Sequence, residues 1–442
     1  MPRRGRRSPK RTGQRGTEHN VSGIIPAFGH YIERITPEHP SCARVLLKTA
    51  YRANGLGIRL VPDHRLPPVR RYAVNYINDV VVRMLSHPDR AALVSVFMPC
   101  ELLEALDVIP MCAEMYSSYI NGTHCEGIFA EAAEGAGIAE SYCSYHKILL
   151  GSAYSGVLPP PKMIVNCSLV CDANNLTFRE LADFYGVPQY YVDVPAAHSE
   201  ESVAYVADQF RELAAFLEEH TGRKLNETKL RESLVRSRDT ISALRGCLNL
   251  RREHSLPGNV VGELNEIYMT HNALGTPEAL HYAKAMQCAL ESAPKTDGIR
   301  LLWLHTLPIW QEPVRELFDF SSRCEIVACD INLESLVDME PDKPYESMAR
   351  RLVYSAFNGG AKRVKASIDL ARLLDVDGVV CFCHWGCKQT MGLSATLKAE
   401  LEKAGFPTLL LNGDGCDRRN ASDGQAATRL NAFLEMLEKR YG

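Results

Sequence analysis

The sequence predicts an α/β protein with two open parallel-sheet, Rossmann-like domains and helical N-terminal and connecting segments. Short apolar runs alternate with amphipathic helical stretches between residues 91 and 200, and the same alternation resumes between 298 and 442. This alternation is typical of parallel strands joined by helical crossovers. Residues 201–297 carry long helical patterns and no convincing strand. A chain of 442 residues also exceeds what one hydrophobic core usually supports, so we expect two or three domains.

Seven apolar runs predict the strands. Three of them lie in the first region, at residues 92–97, 162–170 and 189–194. The other four predict a second sheet of four strands, at residues 300–305, 325–330, 378–383 and 408–412. Open parallel sheets place their functional loops at the carboxyl ends of the strands, and two such domains can face these edges towards each other. We therefore expect the functional residues where strands end.

These patterns divide the chain into five segments. A basic leader at 1–20 precedes a helical lead segment at 21–90, which mixes helical patterns with Pro-rich loops. The first α/β domain is predicted at 91–200 and the second at 298–442, with a helical connector at 201–297 between them.

Basic residues are concentrated in the leader. Seven Lys and Arg residues precede the first acidic residue, Glu18, and they are not interleaved with the apolar face that a transit helix needs. We expect a solvated, disordered leader. The chain has 50 Lys and Arg and 53 Asp and Glu residues, so without the leader its body is acidic. An acidic body argues against nucleic-acid binding.

Neither a signal peptide nor an apolar run of about 18 residues, the length that spans a bilayer, is found in the sequence. We therefore expect a cytoplasmic protein that is not in a membrane.

In the cytoplasm the 15 cysteines should stay reduced, so each is either a metal ligand or a small buried hydrophobic residue. For most of them we expect core packing. The cysteines that we assign to the core in this way include Cys42, Cys112, Cys247, Cys288 and Cys324.

Three cysteines instead stand where a helix begins. Cys143 precedes a predicted helix, Cys171 enters the loop after a buried strand, and Cys387 follows Gly386 ahead of the helix at 388–403. The helix dipole favours a thiolate at such a position, and thiolates are the ligands of iron-sulfur clusters. We predict that Cys143, Cys171 and Cys387 hold one cluster.

Three other cysteines lie close to this set in sequence. Cys167 lies within the predicted strand before Cys171, and we favour a core position for it. Cys381 and Cys383 share one face of a strand, so we expect both to be structural. A zinc site is the weaker alternative, because no matching CxxC pair or spaced His pair completes four ligands.

Several longer motifs follow one another in a fixed order. They are Met98-Pro-Cys-Glu-Leu-Leu-Glu-Ala-Leu, Tyr142-Cys-Ser-Tyr-His-Lys, Cys171-Asp, His384-Trp-Gly-Cys-Lys-Gln, the run from Gly405 to Asp414, and the run from Gly424 to Phe433. Together they resemble the 2-hydroxyacyl-CoA dehydratase D-component family, which also includes benzoyl-CoA reductase subunits and double-cubane cluster proteins. The resemblance runs from about residue 90 to the C-terminus. The spacing back from Gly405-Phe-Pro matches Cys387 to the third cluster ligand of the family.

The resemblance implies a [4Fe-4S] cluster in each subunit of a dimer, whose second subunit is homologous or identical. It also implies a separate ATP-hydrolysing iron-sulfur activator protein, and the sequence contains no G-x-x-x-x-G-K-[ST] loop of its own. The implied reaction removes water from an (R)-2-hydroxyacyl-CoA through a ketyl radical and gives an enoyl-CoA. Three protein ligands would leave one iron open to a water or a substrate oxygen.

Other functions within the resemblance stay open. The extra thiols at 167, 381 and 383 allow a double-cubane [8Fe-9S] cluster, in a reductase of an acyl-CoA or of small molecules. The chain could also be a non-catalytic partner that only relays electrons.

We assign four further features more loosely. Glu101 is the candidate proton-transfer group, although an acid at a helix start is the commoner explanation. His384 and Trp385 could line the substrate pocket, donate to a cluster sulfur, or pack the exit of the strand. The polar loop at 413–419 could bind a phosphate or hold the dimer.

Overall fold

A computed structural model describes residues 23–295 and 298–441. The predicted leader at 1–20 lies outside these residues. The fold is α/β with two parallel four-stranded sheets, which confirms the predicted fold class. The limits of the domains stay a prediction. Within the described residues, no helix combines the length and the apolar character needed to cross a membrane.

Three helices precede the first sheet: α1 (Ile24–Ile35), α2 (Pro40–Leu60) and α3 (Pro68–Ser86). The strands of the sheet are β1 (Ala91–Val94), β2 (Ile109–Cys112), β3 (Met163–Cys167) and β4 (Gln189–Val192). Their spatial order is β2-β1-β3-β4, and every pairing is parallel. The helices among these strands are α4 (Glu101–Ala105), α5 (Ala113–Gly122), α6 (Glu126–Gly135), α7 (Ser144–Tyr154) and α8 (Asp172–Tyr185).

Strand β2 was missed by the sequence patterns. It has four residues, Ile-Pro-Met-Cys, and lies at the edge of the sheet, where the register pairs Ala91 with Ile109. Pro110 is tolerated there because an edge strand needs hydrogen bonds on one side only. A strand this short, with a proline inside it, carries no apolar run that the sequence could reveal.

Four helices join the two sheets: α9 (Glu200–Thr221), α10 (Glu227–Leu250), α11 (Val260–Thr270) and α12 (Pro277–Glu291). Helix α10 contacts both α4 and the later helix α15 (Gly360–Leu374). The helical connector therefore packs against both α/β regions.

The second sheet contains β5 (Ile299–Leu304), β6 (Cys324–Cys329), β7 (Gly378–His384) and β8 (Thr408–Gly413), in the order β6-β5-β7-β8. All its pairings are parallel, and every residue of β5 and β7 is buried. Burial on both faces explains the continuous apolar runs of the sequence. The remaining helices are α13 (Glu312–Phe318), α14 (Pro344–Val353), α16 (Lys388–Lys403) and α17 (Asp423–Tyr441).

The cysteines assigned to the core divide into two groups. Cys112, Cys247 and Cys324 are buried, as predicted. For Cys42 and Cys288 the prediction is wrong, because both are exposed. Cys42 lies in α2 and Cys288 in α12, and in each helix the cysteine falls outside the buried residues that recur every three or four positions.

Candidate functional site

A cavity of about 260 Å³ lies where the carboxyl ends of both sheets meet. The residues that follow the strands line it: Val96 after β1, Val170 after β3, His305 after β5, Ile331 after β6, and His384 at the end of β7. Open α/β sheets bind ligands outside the carboxyl ends of their strands. The cavity therefore occupies the position where this architecture places a functional site.

Cys143, Cys171 and Cys387 all line this cavity. Each is the N-cap residue of a helix, namely α7, α8 and α16, and the structure thus brings together residues that lie up to 244 positions apart. Cys171 and Cys387 follow β3 and β7, whereas Cys143 follows a turn after α6 rather than a strand. Three thiols and the positive ends of three helix dipoles therefore share one cavity.

Several residues that line the cavity have unusual backbone conformations. Val170 and His305 have φ angles of 71° and 81°, which L-residues rarely adopt, and Gly386 has a φ of 85°. A Cβ atom on Gly386 would lie 2.7 Å from the Cα of Cys143, so only glycine permits this approach of the two cysteine loops. Backbone strain of this kind is typical of functional sites.

Two imidazoles contact the thiols. The Nε2 atom of His384 lies 3.4 Å from the Cys143 sulfur, and Nε2 of His146 lies 3.6 Å from the Cys171 sulfur. The backbone N–H of Gly415 donates to Nδ1 of His384 over 3.0 Å. Nδ1 is therefore the acceptor, and Nε2 carries the proton that points at Cys143. Burial lowers the pKa of His146 to about 3, and burial also lowers the pKa of His384, so both rings are neutral.

The thiols themselves are difficult to ionise without a positive partner. Burial raises the pKa of Cys143 well above its usual value, and repulsion from Cys171 and Cys387 raises it further. Burial raises the pKa of Cys171 as well, and repulsion from Cys387 adds to that effect. Three thiolates this close need strong positive charge between them. The iron atoms of a cluster provide such charge, so the donor set fits a three-thiolate cluster site.

A single metal ion fits less well. Throughout residues 23–295 and 298–441, no three His, Cys, Asp or Glu side chains are arranged to hold one ion. A zinc site needs three or four ligands around the same ion. In a cluster, the thiolates bind different iron atoms and stay farther apart.

The family model "2-hydroxyglutaryl-CoA dehydratase, D-component" matches residues 95–437 of the chain. The chain belongs to this family. Curated relatives include the (R)-phenyllactyl-CoA dehydratase alpha subunit of Clostridium sporogenes, which is 22% identical over 363 residues and is aligned over 87% of its length and 77% of this chain. The lactoyl-CoA dehydratase subunit alpha of Anaerotignum propionicum is 24% identical, with 85% of its length and 72% of this chain aligned.

A third relative is the subunit alpha of the (R)-2-hydroxyglutaryl-CoA dehydratase of Acidaminococcus fermentans. It is 24% identical over 307 residues, which are 61% of its length and 64% of this chain. All three relatives are subunits of 2-hydroxyacyl-CoA dehydratases, and the resemblance predicted from the sequence motifs is confirmed.

In this dehydratase family member, two of the residues that were assigned more loosely from the sequence lie outside the cavity. Glu101, the first residue of α4, is fully buried and pairs with Arg351 over 2.6 Å, and Ser237 donates to the same carboxylate oxygen over 2.8 Å. It is not among the residues that line the cavity. Trp385 is also outside the lining, with 46% of its surface exposed, whereas its neighbour His384 is part of the wall. The structure therefore brings His384, but not Glu101 or Trp385, to the three cysteines.

The three neighbouring cysteines also stay outside the cavity. Cys167 in β3 and Cys381 and Cys383 in β7 are buried among apolar side chains, as predicted. Their positions within the strands, rather than after them, keep their sulfur atoms in the core.

The polar loop at 413–419 connects the two α/β regions. Arg418 is paired with Glu126, and Arg419 with Glu134 over 2.8 Å, so both arginines are neutralised by carboxylates of α6. Asp414 accepts a hydrogen bond from Ser144, next to Cys143, over 2.5 Å. With its arginines engaged in this way, the loop holds the second sheet against α6 and α7 and is poorly suited to bind a phosphate.

Glu114 is the functional candidate that the sequence did not reveal. It is the second residue of α5, lines the cavity, and accepts a hydrogen bond from the backbone N–H of Val96 over 3.0 Å. Burial raises the pKa of Glu114 to about 7. Its placement depends on β2, and because that strand has no sequence signal, Glu114 could not be assigned to a strand end.

Proposed function

We propose that this chain is the iron-sulfur subunit of a dehydratase that removes water from an (R)-2-hydroxyacyl-CoA, by way of a ketyl radical, to give an enoyl-CoA. The observation that carries the proposal is the convergence of Cys143, Cys171 and Cys387, each an N-cap residue, on one cavity. Membership of the dehydratase family gives this cavity its most direct chemical interpretation.

Cys143, Cys171 and Cys387 would hold a [4Fe-4S] cluster. When bound, the cluster would supply a low-potential electron and one iron atom without a protein ligand. The N-terminal amides of α7, α8 and α16 stabilise negative charge on the sulfur atoms. The Nε2–H group of His384 adds a hydrogen bond to the Cys143 sulfur. The buried walls of the cavity keep bulk water from the reacting atoms.

Glu114 replaces Glu101 as the proposed proton-transfer group. Its carboxyl group lines the cavity, and a pKa of about 7 lets it gain and lose a proton near neutral pH. The hydrogen bond from Val96 holds one carboxylate oxygen in place. The reaction needs a proton removed from the substrate and a proton for the departing hydroxide, and Glu114 is the cavity carboxyl whose pKa suits both transfers.

The proposal includes partners and a location. A homologous or identical second subunit would complete the enzyme, in a dimer, and a separate ATP-hydrolysing iron-sulfur activator would deliver the electron. The absence of a G-x-x-x-x-G-K-[ST] loop from the sequence supports the need for that activator. An oxygen-sensitive reaction of this type belongs in the cytoplasm of an anaerobic cell.

Anaerobic purification with iron and sulfide analysis tests the ligand assignment. We expect about four irons per chain, with an electron paramagnetic resonance spectrum of a cubane, and about eight for a double cubane. Cys387→Ala should lose most of this iron, whereas Cys288→Ala, at an exposed position, should retain it. Iron content unchanged in Cys387→Ala would refute the ligand set.

Turnover tests the reaction itself. With an activator, ATP and reductant, the purified protein and its copurifying subunit should convert a 2-hydroxyacyl-CoA into the enoyl-CoA, and Glu114→Gln should slow this conversion at least tenfold. Reduction of an unsaturated acyl-CoA without dehydration of the hydroxy compound would instead show a reductase.

A further inference from the structure

One part of the cavity lining is an apolar wall. It comes from the segment after β1, from α11, from the segment after β6 and from the loop before α15. The residues that form this apolar wall are Phe97, Leu264, Ile267, Tyr268, Ile331 and Phe357. Each of them is at most 9% exposed. A ligand group that contacts this wall is transferred from water to a buried hydrocarbon surface.

Charged side chains at the cavity are few. Among the described residues that line it, Lys388 is the only lysine or arginine, and it lies exposed at the first position of α16, beside Cys387. The carboxyl groups of Glu114 and Asp172, which also line the cavity, supply no positive charge. The interior of the cavity therefore offers no free cation to an anionic ligand group.

The basic side chains behind the apolar wall already have partners. The Arg363 guanidinium lies 4.2 Å from the centre of the Phe357 ring and forms a 2.9 Å ion pair with Asp330. His271 packs edge-on against Phe97, and its Nε2 atom lies 3.0 Å from Glu334. A ligand carboxylate could recruit either group only by breaking a buried pair, which is costly.

The size of the cavity limits which part of an acyl-CoA thioester can lie inside it. About 260 Å³ accommodates an acyl group, whereas a complete acyl-CoA is far larger, so the CoA moiety has to lie outside. A cluster on the three cysteines would take the sulfur-lined part of the space. The end of the acyl chain farthest from the thioester would then lie against the apolar wall.

On the basis of the proposed function, we infer that the acyl group is uncharged and apolar, of the aromatic or branched aliphatic kind, and that a dicarboxylic acyl group is rejected. An apolar group gains by leaving water, whereas a terminal carboxylate would be buried against the apolar wall without a counterion. The printed substrates of the three relatives differ in this respect, since they include phenyllactyl, lactoyl and 2-hydroxyglutaryl groups.

Equilibrium binding separates the possibilities without turnover. Isothermal titration calorimetry under anaerobic conditions would compare CoA with phenyllactyl-CoA, 2-hydroxy-4-methylpentanoyl-CoA and 2-hydroxyglutaryl-CoA, on the protein together with any copurifying subunit. We expect the two apolar thioesters to bind at least tenfold more tightly than the glutaryl thioester. Equal or tighter binding of the glutaryl thioester would overturn the inference while the proposed function stands. Binding of all three no tighter than CoA alone would instead contradict the proposed function.

Two Phe→Leu variants test whether the apolar wall causes the preference for apolar thioesters. Phe97→Leu should weaken binding of phenyllactyl-CoA about threefold or more and leave lactoyl-CoA unchanged, because only the larger group reaches the wall. Phe184→Leu, on an exposed face of α8, is the matched control and should change neither. Ile331→Val removes one methyl group from the same wall and keeps the test available if Phe97→Leu does not fold; it should likewise weaken binding of phenyllactyl-CoA and leave lactoyl-CoA unchanged. A Phe184 effect equal to that of Phe97 would refute the location.

Discussion

The Nε2 atom of His384 lies 3.4 Å from the sulfur of Cys143, and the opposite ring nitrogen accepts the backbone N–H of Gly415. The strand β7 and the loop after β8 thereby fix which nitrogen carries the proton. Because the fixed tautomer donates towards sulfur, the imidazole stabilises negative charge on the sulfur of Cys143, a proposed cluster ligand. Hydrogen bonds to sulfur are among the properties that tune the potentials of iron-sulfur clusters.

Replacement of His384 by Phe should therefore make the reduction potential of the cluster more negative. Loss of one hydrogen bond of about 1 kcal/mol corresponds to roughly 40 mV for a one-electron couple. A redox titration followed by electron paramagnetic resonance measures this shift. Trp385→Phe, at the exposed neighbouring position, is the control and should leave the potential unchanged. An unaltered potential in His384→Phe would show that the ring only packs the cavity wall.

Gly386→Ala should separate the loops of Cys143 and Cys387. The new methyl group would meet the backbone of Cys143 at 2.7 Å, and the φ of 85° adds a conformational cost of about 1–3 kcal/mol. We expect a lower free energy of unfolding and a loss of bound iron. Chemical unfolding together with iron analysis checks both.

Gly405→Ala is the matched control for this substitution. Gly405 has a φ of 98°, but an added Cβ atom there would meet nothing within 4 Å. Its alanine variant should therefore show the conformational cost while it retains iron. If both variants lose iron equally, the contact between Gly386 and Cys143 is not what holds the cysteine loops together.

Local sequence patterns predicted one part of this site, and tertiary contacts determine the rest. The three cysteines could be found because a thiol directly before a helix is visible in the sequence, and all three prove to be N-cap residues. Glu101 also begins a helix, so the same signal selected it, yet α4 directs it into an ion pair. Glu114 depends on an edge strand without a recognisable pattern. No local signal distinguishes these two carboxyl groups.

Glu114 should make the stability of the iron-free protein depend on pH. Its folded-state pKa of about 7 lies above the usual value of 4.5, because burial favours the neutral form. The contribution of this group is fully present below pH 4.5 and is lost as the pH rises through 7, by an amount on the order of 3 kcal/mol. Glu114→Gln should remove most of this loss.

Urea unfolding between pH 5 and pH 8 measures the effect, since the midpoint reports stability at constant slope. Glu219→Gln, at an exposed position in α9, should retain the pH dependence of the original protein. An identical pH dependence in the Glu114 and Glu219 variants would place the pKa of Glu114 near its ordinary value and weaken its proposed proton transfer.

Glu101→Ala should chiefly destabilise the fold. Both Glu101 and Arg351 are at most 2% exposed in their side chains, so the substitution leaves a buried guanidinium without its partner, at a cost of about 3–5 kcal/mol. Replacing both residues, as in Glu101→Leu with Arg351→Met, should recover much of that loss, because no charge is then left unpaired. Urea unfolding measures each variant, and Glu104→Ala, at a half-buried carboxylate of the same helix, is the control. The Glu101→Ala protein that does fold should bind as much iron as the original chain.

A Glu101→Ala variant with undiminished stability but abolished dehydration would restore this carboxylate as a proton-transfer group and displace Glu114 from that role.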